Sequence, residues 1–175
     1  AGETIVISAD INIKKGFYTY SSHPDLTLTP SYFEWIDTTL FSSLGIMNEP
    51  KPIVEFVESL KMNVGKHINS VVLSQEIVLS HNAQPGQHIL EGTFIYQVCD
   101  VTQCIPHWDD FSISINIESG APRAEYIRDV ITDYPSLDTY KKDSKLAATF
   151  STKESDESLF IFFFMALFAG LAALL

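Results

Sequence analysis

The segment Phe111 to Ile117 (FSISINI) alternates apolar and small polar residues without a break. A side-chain period of two puts one set of residues on one face only if the backbone is extended. Near the front Ile5, Ile7, Ile11 and Ile13 keep one parity in the same way. Further strand-like stretches fall at residues 16–20, 52–57, 71–79 and 89–98, while residues 32–44 read equally as strand, helical turn or cap. The turn signal Gln84-Pro85-Gly86-Gln87 predicts an antiparallel hairpin between the last two of these strands. About seven to nine short strands in the first two-thirds of the chain favour an all-β sandwich over a barrel or an α/β fold.

The pattern changes after residue 118. Residues 119–158 are polar, broken by Gly120, Pro122 and Pro135, and read as a tether, with a short helical stretch around 123–131 that could dock on the domain. Residues 159–175 (LFIFFFMALFAGLAALL) then run for 17 positions without a charge. As a helix this run measures roughly 26 Å, near the ~30 Å of a hydrocarbon core, and it reads as the start of a transmembrane helix. A buried helix and a glycolipid-anchor signal, with Ala147, Ala148 and Thr149 as its small residues, are the competing readings. The acidic excess in residues 153–157 disfavours a cytoplasmic flank, so residues 1–158 are expected to face outward. The domain layout is thus 1–118, 119–158 and 159–175.

Charge removes one class of partner. Acidic residues number 22 against 11 basic ones, for a net −11, and Lys14, Lys15, Lys51, Lys61 and Lys66 are scattered. Nucleic acid is therefore not an expected partner.

The chain has two cysteines, Cys99 and Cys104, in FIYQVCDVTQCIPHWDDFSISI. Cys99 should end one strand and Cys104 should open the irregular stretch that follows. The two can approach closely enough for a disulfide, and three readings compete for them. As a staple, a closed loop of about six residues adds only ~2 kcal/mol in the chain-entropy model. As a zinc site, with His107 and a remote His81 or His88, the pair lacks the second knuckle that structural zinc uses. As a redox dithiol it suits an outward-facing domain, in a compartment where disulfides persist. Asp100, Asp109 and Asp110 lie nearby in sequence and would raise a thiol's pKa, leaving the pair quiet until a partner engages it.

The segments YQVCDVTQCIPHW, KKGFYTYS, NEPKP and FAGLAALL together resemble the N-terminal periplasmic domain, and the start of the first membrane helix, of the DsbD family of thiol:disulfide interchange proteins. The resemblance implies an immunoglobulin-like sandwich that takes electrons from the other domains of the same full-length protein. It would pass them to periplasmic partners with thioredoxin-like folds. Carried over by position, it makes Cys99 and Cys104 the redox pair, with Cys104 forming the mixed disulfide. Tyr18, Tyr20, Asn48, Glu49 and Pro106 would line the site. Asn48 and Glu49 fall where the family has an acidic pair in a cap loop over the cysteines, but the first is an amide here, Pro50 replaces a following aromatic, and His107 stands where a second proline is common. The exchange steps need neither metal nor organic cofactor. The implied activity is that of a protein-disulfide reductase in the bacterial inner membrane, with the sandwich in the periplasm. The rival from another class is a membrane-anchored binding or adhesion module whose disulfide is structural.

Overall fold

Among the described residues there are nine strands, in an order that the apolar alternation only partly announces. They are β1 Thr4–Asn12, β2 Thr19–Tyr20, β3 Tyr32–Trp35, β4 Phe41–Asn48, β5 Ile53–Val57, β6 Met62–His67, β7 Ser70–Leu79, β8 Gly86–Cys99 and β9 Cys104–Ile117. The structure, a computed structural model, describes residues 1–141. Residues 1–136 form one compact unit. Of the second unit, the one-turn helix Asp138–Lys141 is described. Among the described residues no helix is long and apolar enough to cross a membrane, and the apolar run 159–175 lies outside them.

The strands form three antiparallel sheets of three, ordered β1-β7-β4, β3-β8-β9 and β2-β6-β5. The first two pack face to face. From one come Ile7, Val71, Leu73, Ile77 and Met47, and from the other Phe33, Leu90 and Phe94, forming a single core cluster. On β7 every second residue from Val71 to Leu79 points inward, which is the period-two rule with one face buried. Aromatic rings close one side of this core. Phe33 lies 5.2 Å from Phe94 and 5.5 Å from Phe111, and Trp35 lies 5.3 Å from Phe111, in the tilted and edge-on arrangements that ring quadrupoles favour. The polar side chain in this interior, Gln75, accepts from Trp35 Nε1 and donates to the Gly45 carbonyl, so its burial carries no unpaired amide. This is the all-β sandwich the sequence predicts, in an arrangement consistent with immunoglobulin-like packing.

Two expectations, the hairpin partners with their turn and the setting of Cys104, need correcting, and one open stretch is resolved. Strands β7 and β8 are not a hairpin: β7 is the centre of one sheet and β8 the centre of another. The predicted turn at Gln84–Gln87 is also displaced: Gly86 and Gln87 already belong to β8, and the connection that carries the chain from sheet to sheet turns at His81–Asn82, where Ala83 N–H donates to the Ser80 carbonyl. The long hairpin is instead β8–β9, with fourteen register pairs from Gly86↔Ile117 to Cys99↔Cys104, so Cys104 begins a strand rather than an irregular stretch. Residues 32–44, open on sequence, are β3 and the first half of β4, separated by a turn in which Asp37 accepts from Thr39.

The front of the predicted tether is docked. The compact unit continues past residue 118 to Ser136. Arg123 forms a two-toothed ion pair with Glu3, holding the Glu3 carboxyl down at about 2. Thr4 Oγ1 donates to the Arg128 carbonyl, Ile46 N–H to the Ile131 carbonyl, and His23 Nε2–H to the Pro135 carbonyl. This strap runs from the start of β1, past Glu76 of β7, to Ile46 of β4, and it includes a short 3-10 turn at Ala124–Tyr126.

Candidate functional site: a disulfide at the tip of the long hairpin

Cys99 and Cys104 are joined by a disulfide, with their Cα atoms 4.0 Å apart as the last register pair of β8 and β9. The four residues between them turn on the Asp100 side chain. Its Oδ1 accepts from the Thr102 hydroxyl, the Thr102 N–H and the Gln103 N–H, while Asp100 N–H donates to the Gln103 carbonyl. Those donors, the Thr102 hydroxyl first, hold the Asp100 carboxyl below its ordinary value. An Asx-type turn of this kind is what Asp supplies most readily.

The two sulfur-bearing residues have different surroundings. Cys99 is fully buried, whereas Cys104 is exposed. Strand β8 is central at this point: Cys99 faces Cys104 on one side, and on the other it exchanges both backbone hydrogen bonds with Tyr18, each 2.9 Å. Thr19 Oγ1 adds a bond to the Gln97 carbonyl at 2.8 Å. Cys104, by contrast, lies at the start of the sheet's edge strand.

Tyr20 reaches the exposed sulfur. Its hydroxyl is 3.3 Å from Cys104 Sγ, and a disulfide sulfur carries no hydrogen, so the phenol is the donor. Burial, then the hydroxyl of Tyr18, raises the Tyr20 pKa above its usual value, which keeps that proton in place across biological pH. The two rings meet edge-on at 5.7 Å.

Asn48 and Glu49 are placed differently from the tyrosines. Asn48 closes β4 opposite Ser74, and no hydrogen bond links it to either sulfur. The Glu49 side chain is only 6% exposed and turns inward. It accepts from the Ser21 hydroxyl, from Ser22 N–H at 2.8 Å and from His67 Nε2–H at 2.9 Å. Burial works to raise its pKa, but the bonds from His67, Ser21 and Ser22 outweigh it and leave the carboxyl below its ordinary value. Glu49 thereby ties the end of β4 to β2 and β6, the strands that carry Tyr20 to the sulfur. Gly65 on β6 allows this approach, because a Cβ there would come within 2.9 Å of Ser21 Cβ.

Pro106 is exposed on β9 opposite Gln97, on an edge strand where a missing N–H is tolerated. His107 stacks on Tyr96, and His88 Nε2–H donates to the Gln84 carbonyl. His81 abuts Gly2, and among the described residues no three His, Cys, Asp or Glu groups gather as a metal site.

Two of the three carboxylates expected to burden the thiols are remote from them. Asp109 and Asp110 sit five and six residues along β9, roughly 17–20 Å at ~3.3 Å per residue, and are occupied by the Tyr96 and Thr93 hydroxyls. That separation exceeds the ~8 Å screening length of physiological salt. The third, Asp100, is spent on the turn.

Sequence reasoning did not single out Ser21, Ser22, Lys66 or His67 for the site. They are two short polar pairs, Ser21-Ser22 and Lys66-His67, far apart in sequence, and only the pairing of β2 with β6 brings them together.

Fold and site together define an all-β sandwich that presents one accessible disulfide at a hairpin tip. No family model and no curated protein matches the chain. Among solved structures it is similar to the N-terminal domain of DsbD from Neisseria meningitidis in the reduced form, with 18% identity over 66% of this chain and 80% of that one, at a TM-score of 0.46.

Proposed function

We propose that this chain is a thiol-disulfide exchange domain that works through Cys99 and Cys104. The observation that carries the reading is the asymmetry of the pair: one sulfur exposed and hydrogen-bonded by Tyr20, the other sealed and pinned by Tyr18. In the reduced state the Cys104 thiolate attacks a partner disulfide, forming a mixed disulfide and releasing a partner thiolate, which takes up a proton. Cys99 then loses its proton and attacks Cys104 Sγ, the second partner sulfur leaves, and the Cys99–Cys104 bond closes. Two electrons pass to the partner. Cys99 needs no access to solvent for this, because its target is its own neighbour.

A passive staple fits less well. Fourteen register pairs and the Asp100 turn already close the hairpin, so a bond across about six residues adds only ~2 kcal/mol. The resemblance of residues 96–108 to the DsbD family supports the finer reading: a periplasmic part of an inner-membrane protein-disulfide reductase, re-reduced by other domains of the same protein and serving partners with thioredoxin-like folds. In that reading residues 159–175 begin the membrane part.

Trapping tests the proposal. A Cys99→Ala variant should hold a thioredoxin-like partner in a stable mixed disulfide through Cys104, visible on a non-reducing gel and reversed by reductant. Absence of any such adduct, with Cys104 confirmed free and reactive toward a small alkylating reagent, would remove the exchange function.

A further inference from the structure

The outer face of the third sheet places a cation beside the reactive sulfur. In the β2–β6 pairing Tyr20 stands directly opposite Lys66, and Ile53 of β5 continues the same row. Tyr18, two residues before Tyr20, shares that face. Lys66 Nζ lies 5.4 Å from the centre of the Tyr18 ring, close enough for a cation–π contact, and makes an ion pair with Glu55 Oε2 at 2.6 Å. From sulfur outward the sequence of groups is Cys104 Sγ, Tyr20 hydroxyl, Tyr18 hydroxyl and ring, Lys66, Glu55.

We propose that Lys66 is a positioning residue for exchange at Cys104: its ammonium, held over Tyr18 and opposite Tyr20, orients the tyrosine hydroxyls toward the sulfur and favours the thiolate that forms on reduction. The inference rests on the exchange reading given above, and it names the group that sets the reactivity of that site.

The charged groups around the sulfur support it. Asp100 is bound up in the turn, and Asp109 and Asp110 are far along β9. The Glu49 carboxylate is buried among His67, Ser21 and Ser22, and Ser21 and His67 sit one residue out of phase with Tyr20 and Lys66, on the opposite face of their strands. His107 stacks on Tyr96. Lys14 lines a cavity together with Tyr18 but makes no ring contact with it, so among the described residues Lys66, tempered by Glu55, is the formal charge held against the tyrosine pair. When the disulfide opens, Cys104 Sγ changes from a weak neutral acceptor to an anion. A phenol donating to it, polarised by a nearby ammonium, then has a much stronger acceptor. The cation thus acts where charge develops and has little effect on the disulfide form.

Lys66 and Glu55 should push in opposite directions, and a merely structural role for either would not reproduce that. In the reduced 175-residue chain, the pH dependence of iodoacetamide labelling at Cys104, located by mass spectrometry, reports its thiol pKa. A monopole several ångströms away in a half-solvated setting should shift it by about half a unit. Lys66→Met is therefore expected to slow labelling at pH 7 about threefold, Lys66→Arg to restore it, and Glu55→Gln to accelerate it by a similar factor. Unchanged labelling in Lys66→Met, or slowing by Lys66→Arg equal to that of Lys66→Met, overturns the proposal. Should Lys66→Met fail to fold, the direction of the Glu55→Gln effect decides: acceleration supports the proposal, and no change or slowing overturns it. Mixed-disulfide trapping with a thioredoxin-like protein, run in parallel, reads the exchange function itself, so that each claim can fail without the other.

Discussion

The body of the sandwich and its cysteine end are held together by different forces. In the body Leu73, Ile77 and Leu90 are buried almost completely among Phe33, Phe94 and Met47, and contact there is non-directional. At the cysteine end the buried residues include Thr19, Ser21, Ser22, His23, Ser31 and His67, of which Ser21, Ser22 and His67 bind the Glu49 carboxylate. Hydrogen bonds fix directions that apolar packing leaves loose. The difference shows how a small domain can be robust and still aim one phenol at one sulfur: the body supplies stability, and the polar cluster supplies position.

Mutations should separate the two contributions. The largest effect is expected in the body, where Leu73→Ala should cost ~3–5 kcal/mol in urea unfolding by leaving a cavity, while the reduction potential of the folded fraction stays where it was. Glu49→Ala should cost less, about 2–3 kcal/mol, because it strands the donors of Ser21, Ser22 and His67. It should nevertheless change Cys104 labelling, because β2 loses its anchor. A large stability loss with unchanged labelling would break the division of labour.

Acid probes the same cluster. The folded Glu49 carboxyl titrates below its ordinary value of 4.5, so its contribution is complete above that value. It is lost as pH falls through the lower, folded pKa. Unfolding midpoints measured from pH 7 down to 3 should therefore fall more steeply in the native chain than in Glu49→Gln. Reducing the disulfide should lower stability by only ~2 kcal/mol, since the hairpin is closed by its ladder and by Asp100. The smallest change is expected from Ser22→Ala: Ser22 Oγ is buried without a hydrogen-bond partner, so its removal should be neutral or slightly stabilising.

Legibility in the sequence followed the same divide. The alternation of residues 111–117 and the parity of the isoleucines in β1 announced strands because one face of each is buried in the body. Strand β6 (MNVGKH) escaped notice: Gly65, Lys66 and Asn63 break any apolar period, and its role is to hold Tyr20 and Glu49 rather than to fill a core. A break before β8 was legible, though the turn falls at His81–Asn82 rather than at residues 84–87, and a local signal does not say which sheet the next strand joins. At the site, the cysteines stood out by their number and spacing, whereas Tyr18 and Tyr20 were singled out only through residues that resemble a known family. The inward turn of Glu49 depends on Ser21 and Ser22 from one place along the chain and His67 from another, far enough apart to leave no spacing to read. The docking of residues 119–136 was hidden for a related reason, because much of it rests on backbone carbonyls of Arg128, Ile131 and Pro135, which every sequence possesses.

The central claim, that the Cys99–Cys104 bond opens and closes in service of other proteins, is tested most directly by its reduction potential, measured by equilibrating the chain with glutathione buffers of graded ratio. A shuttle should fall in the range of thioredoxin-like exchangers, about −180 to −270 mV, whereas a bond more stable than about −300 mV would be a permanent staple and would contradict the account.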